Sequence, residues 1–94
     1  MWTFDWDEDK NQTNYLKHHV SFEDAQEAFF DPLRLIFEDI DHSTQSEKRF
    51  YCIGEVATKV CTVRFTIRGT VIRIFGAGYW RKEQKIYEKI NKTR

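Results

Sequence analysis

Between residues 49 and 78 the chain repeats one pattern three times: apolar and polar side chains alternate for eight or nine residues until a short turn signal interrupts them. Alternation with a period of two sends successive side chains to opposite faces of an extended strand. The segments Arg49 to Val56, Val60 to Arg68 and Val71 to Gly78, divided by Ala57-Thr58-Lys59 and Arg68-Gly69-Thr70, therefore read as an antiparallel meander. With two-residue loops centred on Thr58-Lys59 and Gly69-Thr70, Cys52, Gly54 and Val56 align with Cys61, Val63 and Phe65. Ile67, Ile72 and Ile74 extend this almost wholly apolar face, which is expected to pack on helices. The opposite face holds Arg49, Tyr51, Ile53 and Glu55 across from Arg68, Thr66, Arg64 and Thr62, with Arg73 and Phe75 on the next strand. A one-residue slip would bury arginines, so the faces are more tightly constrained than the register.

The flanking segments supply the rest of a small domain. Trp2, Phe4 and Trp6 alternate with Thr3 and Asp5 as a short strand, and acids open a helix expected from Asp7 to His18. Ser21 is placed to cap a second helix running to about Phe30, before Asp31-Pro32, with Asp24 at the capping-box position. Leu33 to Glu38 reads as a strand, Asp39 to Lys48 as a polar loop, and Arg81 to Ile90 as a basic helix with Ile86 and Ile90 on one face. The expected fold is α+β, an antiparallel sheet of about four to five strands with three helices, in a single domain over residues 1–94. Two domains would leave neither half enough apolar surface, whereas a 16% aromatic content lets one short chain bury a core.

No apolar run is long enough to span a membrane, and the N-terminal stretch has neither a basic lead nor an apolar signal segment, so a cytoplasmic protein is expected. Cys52 and Cys61 lie in apolar strands without metal-ligand spacing and read as buried thiols.

A formal charge of zero conceals a division of the chain. Residues 1–47 carry 12 acids and three bases; residues 48–94 carry three acids and 12 bases. Either the two halves pair with each other, or the basic half attracts a polyanion while the molecule stays neutral. Four arginines and a tyrosine converging on one sheet face favour a phosphate backbone as the answer to their repulsion. Guanidinium forks suit phosphates, and Tyr51 or Phe75 can stack on a base splayed from a single strand. Ordinary solvated strand residues, some paired with N-terminal acids, would give the same pattern.

The ordered set Phe4-Asp5-Trp6-Asp7, Asn14-Tyr15-Leu16-Lys17-His18, Val20-Ser21-Phe22-Glu23-Asp24-Ala25, Phe30-Asp31-Pro32-Leu33, Asp41-His42-Ser43 and Lys48-Arg49-Phe50 resembles the successive landmarks of BrnT toxins. The stretches Val63 to Gly69, Arg73 to Lys82 and Ile86-Tyr87-Glu88 are similar to one branch of that family. This resemblance implies a RelE-like fold with helices on one side of an antiparallel sheet. It also implies a type II toxin that cleaves RNA, arrests translation and is neutralised by a BrnA-like antitoxin, with DNA touched only indirectly through that antitoxin. A toxin dimer bridged by two antitoxins is part of the same implication. The chain departs from many relatives where Gly76-Ala77-Gly78 replaces Ser-Ala-Arg; if that arginine aids catalysis elsewhere, Arg81 or Lys82 must substitute or activity is weaker.

RNA cleavage without a metal needs a proton acceptor for the 2′-hydroxyl, cations for the phosphorane and an acid for the leaving oxygen. His18 is the candidate acid or base, with Lys17 beside it as phosphate ligand; Arg49, Arg64 and Arg73 are candidates for transition-state stabilisation. Tyr51, Arg68, Trp80, Arg81 and Lys82 are candidate RNA contacts. A histidine closing a helix is often only a cap, and Tyr79 and Trp80 can equally be core or antitoxin contacts. His19 and His42 lack metal-ligand spacing, so neither a metal nor another cofactor is expected. The acids Asp5, Asp7, Glu8 and Asp9 have a sufficient explanation in opening a helix. A non-catalytic module that docks an acidic partner or nucleic acid on the basic face is the competing reading.

Overall fold

The computed structural model describes residues 2–92; Met1, Thr93 and Arg94 lie outside the described residues. Five strands, β1 (Thr3–Trp6), β2 (Leu35–Glu38), β3 (Arg49–Val56), β4 (Lys59–Arg68) and β5 (Val71–Gly78), form one sheet in the order β1-β5-β4-β3-β2. Three helices accompany it: α1 (Glu8–His18), α2 (Phe22–Ala25) and α3 (Arg81–Lys92). This is the expected α+β architecture, with one parallel pair, β1 beside β5, in an otherwise antiparallel sheet.

Local chemistry explains the element ends. The Asp7 carboxylate accepts from the Asp9 and Lys10 N–H groups at 2.9 and 3.2 Å, and His19, at φ 61°, turns left-handed to close α1. Ser21 Oγ accepts from Asp24 N–H at 3.0 Å, and α2 tightens into a 3-10 turn, Gln26–Phe30, before Pro32. Because β1 ends opposite Ile74, the remaining edge of β5 has no neighbouring strand among the described residues. Asn14 of α1 takes that place with its amide, accepting from Ala77 N–H at 3.1 Å and donating to Ala77 C=O at 2.9 Å. The end of α1, and His18 with it, is thereby fixed beside the last residues of β5.

The main core lies on the expected apolar face. Cys52, Cys61, Val63, Phe65, Ile74 and Ala77 pack there against Phe22, Ala25, Ala28 and Phe29. Gly54 is essential to this closeness, since a Cβ there would collide with the Ala28 carbonyl of the 3-10 turn.

Four expectations are corrected. The helices do not share one side: α3 crosses the reverse face, where Tyr87 packs with Leu35 and Ile53, and Ile86 and Ile90 flank them. The apolar stripe of α3 needs burial, and Ile53 interrupts the polar face with a matching patch. The β3–β4 turn is Ala57-Thr58, so Val56 faces Lys59 and the register moves by two residues, which preserves the faces. A bulge at Phe75 pairs Phe65 with Ile74 but Arg64 with Gly76, turning Ala77 rather than Gly76 into the core. Ile67, expected in the apolar face, stands 53% exposed at the hairpin tip. No helix among the described residues is long and apolar enough to cross a membrane.

Candidate nucleic-acid interface and active site

On the outer face the ladder sets the arginines in cross-strand rows. One row is Arg49, Thr66 and Arg73; the next is Tyr51, Arg64 and Gly76; a third, Ile53, Thr62 and Gly78, continues toward α3. Rows two residues apart are separated by about 7 Å along the strands.

Arg64 is the centre of the arrangement. Its aliphatic stem lies over Gly76, about 3.7 Å from where a Cβ would be, and its guanidinium is 5.4 Å from the centroid of the Trp80 ring. The same indole meets the edge of His18 at a centroid distance of 5.1 Å. Gly78 makes room for it, since a Cβ at 78 would lie 2.6 Å from Trp80 Cη2. An arginine at 78 and Trp80 in this position therefore exclude each other. His18, Trp80 and Arg64 form one contiguous group built from α1, the residue before α3, and β4.

The other three arginines are answered by the acidic half of the chain. Arg49 lies over Phe75 at 4.7 Å and places its Nε 3.2 Å from Glu47; Arg68 reaches the same carboxylate at 3.4 Å. Arg73 pairs with Asp5 at 3.2 Å. The hydrogen bond from Arg49, helped by that from Arg68, lowers the Glu47 carboxyl below its ordinary value. Among the described residues, no carboxylate lies within ion-pair distance of Arg64. Internal pairing thus accounts for part of the charge division, and Arg64 escapes it.

The remaining candidates surround this centre. Lys17 lines a cleft with His18, Asn14 and Phe75. Tyr51 faces Arg64 in the ladder, packs on Phe37 at 5.5 Å, and has its phenol pKa raised by burial, then by Glu83 and Asp39. Lys82 shares a second cleft with Tyr51 and Arg64, while Arg81 opens α3 in an exposed position. Sequence reasoning missed Glu47 as the clamp on two arginines, and Gly78 as the seat of Trp80. Among the described residues no three His, Cys, Asp or Glu side chains group as a metal site requires. Cys52 and Cys61 are buried thiols whose pKa values burial pushes up to about 12.

The polar loop before β3 is also ordered by specific contacts. Ser43 Oγ donates to Asp39 C=O at 2.8 Å and accepts from Arg49 N–H at 2.8 Å, tying the loop to the first residue of β3.

Comparison with curated proteins gives no match. The family model described as the ribonuclease toxin BrnT of type II toxin-antitoxin systems matches residues 6–84, a span that includes α1, the whole meander and the His18–Trp80–Arg64 group. The chain belongs to the BrnT family of type II ribonuclease toxins.

Proposed function

We propose that this toxin is a metal-independent endoribonuclease of the cytoplasm, which inhibits translation by cutting RNA and is neutralised by a BrnA-like antitoxin. The observation that carries the reading is Arg64, a sheet-centre guanidinium without a carboxylate partner among the described residues, held over Trp80 beside His18. A permanently charged fork without an internal counter-ion suits a phosphate that passes to a more highly charged phosphorane. His18 transfers a proton, Lys17 binds an adjoining phosphate, and Arg49 and Arg73 add positive charge from the neighbouring row. Tyr51, Arg68, Trp80, Arg81 and Lys82 hold the RNA on either side. The antitoxin would keep DNA contacts to itself and bridge two toxin copies.

The carboxylates on Arg49, Arg68 and Arg73 favour one competing reading, a binding module that docks a partner without cutting RNA. Incubation of the purified, antitoxin-free protein with RNA and a chelator separates the two. The expected result is cleavage that Arg64→Ala slows by about 10²–10³-fold and the Arg49→Ala/Arg64→Ala/Arg73→Ala variant abolishes. Intact RNA with the unmutated protein overturns the enzyme reading, and equal cleavage by the triple variant overturns the site.

A further inference from the structure

A cleft of about 490 Å³ lies between residues 38–42 and the start of α3, and it contains Arg64 but not His18. Asp39 and His42 stand on one wall, Lys82 and Glu83 on the other, with Tyr51, Thr62 and Arg64 between. Two independent features mark it as built for a ligand.

The first is a fixed imidazole. His42 Nδ1 lies 2.8 Å from Asp39 Oδ2. Asp39 is itself held, its N–H donating to Arg49 C=O at 2.7 Å and its C=O accepting from Ser43 Oγ and from His42 N–H. In the tautomer whose Nδ1–H donates to the carboxylate, Nε2 carries the lone pair, and it has no hydrogen-bond partner among the described residues. The second is Thr62, which is only 3% exposed and whose Oγ1 makes no hydrogen bond among the described residues. Buried hydroxyls are nearly always paired, so an orphan lining a cleft points to a polar group that binds there.

We infer that, within the ribonuclease reading above, this cleft takes the scissile phosphate and its ribose, with His42 as general base, Asp39 as its positioning residue and Thr62 as a donor to a phosphate oxygen. His42 Nε2 removes the 2′-hydroxyl proton as the O2′–P bond forms. The P–O5′ bond breaks, leaving a 2′,3′-cyclic phosphate, and O5′ takes a proton from His18, the imidazole on the Trp80 side of Arg64. Solvent then returns both imidazoles to their starting states. The imidazolium formed on His42 is stabilised by Asp39, and the cleft also contains Asp41, Glu38 and Glu83, with Arg64 and Lys82 as its cations. Glu38 is engaged by Lys48 at 3.6 Å. Carboxylates outnumber cations in the cleft, so holding the one phosphate falls to Arg64 and Lys82, and flanking phosphates are directed to the arginine rows.

The test uses the purified, antitoxin-free chain and a short single-stranded RNA in chelator. His42→Ala should lower kcat by about 10²-fold or more with KM little changed. Asp39→Asn should reduce kcat at least about tenfold by favouring the wrong tautomer. Thr62→Val should slow cleavage while leaving Tm unchanged or higher, the reverse of a structural role. His19→Asn should cut as the parent does. Should His42→Ala melt below the parent, His42→Asn carries the test. Active parent with equally active His42 variants overturns this assignment alone; inactive parent overturns the ribonuclease reading and the assignment together.

Discussion

The indole of Trp80 occupies the space beside Gly78 that any side chain there would require, with a built Cβ falling 2.6 Å from Cη2. The absence of a side chain at 78 is thus part of how Arg64 and His18 are positioned. Gly78→Ala is expected to displace the ring, cost about 1–3 kcal/mol, and lower RNA cleavage. Gly78→Arg combined with Trp80→Ala should be more stable than Gly78→Arg alone, because the ring that blocks the arginine is gone. Thermal melts of the three variants check the coupling, and recovery of cleavage in the double variant would show that charge at 78 can replace the Trp80 arrangement.

Glu47 restrains the positive face by binding both Arg49 and Arg68. The pairs are solvent-exposed and screened, so Glu47→Gln should leave stability nearly unchanged. Its effect on RNA should be larger, because two guanidinium groups are released together. Affinity for single-stranded RNA is expected to rise at low salt, and the slope of log K against log salt to steepen by about 0.7 for each added phosphate contact. Titrations at several salt concentrations measure both; an unchanged slope would place Arg49 and Arg68 away from the RNA path.

Gly54 tests whether the 3-10 turn must lie directly on β3. A Cβ there meets the backbone of Ala28, which cannot swing aside as a side-chain tip can. Gly54→Ala should therefore destabilise by about 3 kcal/mol, readable in a denaturant melt. A neutral outcome would mean that the turn shifts freely and that the core on this face is looser than its packing indicates.

The faces of the meander are legible in the sequence because arginine at Arg49, Arg64 and Arg73 resists burial as firmly as Val63 and Phe65 demand it. The β3–β4 register is less so, since its turn has Ala57 at φ 59°, a left-handed position without the usual glycine or asparagine marker. The bulge at Phe75 is equally unmarked, and it decides which of Gly76 and Ala77 faces the core. The side taken by α3 depends on Tyr87 meeting Asp31, residues 56 apart, which no local periodicity encodes. For the site, the arginine face and His18 follow from alternation and landmarks. The His42–Asp39 pair escapes a reading that weighs histidines for metal spacing, because the pair is made within one 3-10 turn.

Tyr87 joins the two layers by donating its hydroxyl to Asp31 Oδ2 at 2.5 Å, while Asp31 also accepts from Glu55 N–H and Leu33 N–H at 2.8 Å each. Burial alone would raise the Asp31 pKa, but these three donors and the charge of Arg34 outweigh it, and the carboxyl lies below its ordinary 3.8. Between the folded and unfolded values the unfolded chain holds a proton that the folded chain lacks. The stabilisation is therefore complete above the unfolded value and disappears as pH falls through the lowered folded one. The Tyr87 phenol is raised by burial and then by its bond to Asp31, so its contribution is complete below the ordinary tyrosine range near 10 and is lost as pH rises through the folded value. Tyr87→Phe should cost about 1.5–3 kcal/mol at neutral pH, as expected for a hydrogen bond to a charged acceptor. Denaturant melts from pH 3 to 7 should show the gap between parent and variant narrowing at the acidic end, where Asp31 takes up its proton; a gap independent of pH would mean that the phenol acts by packing alone.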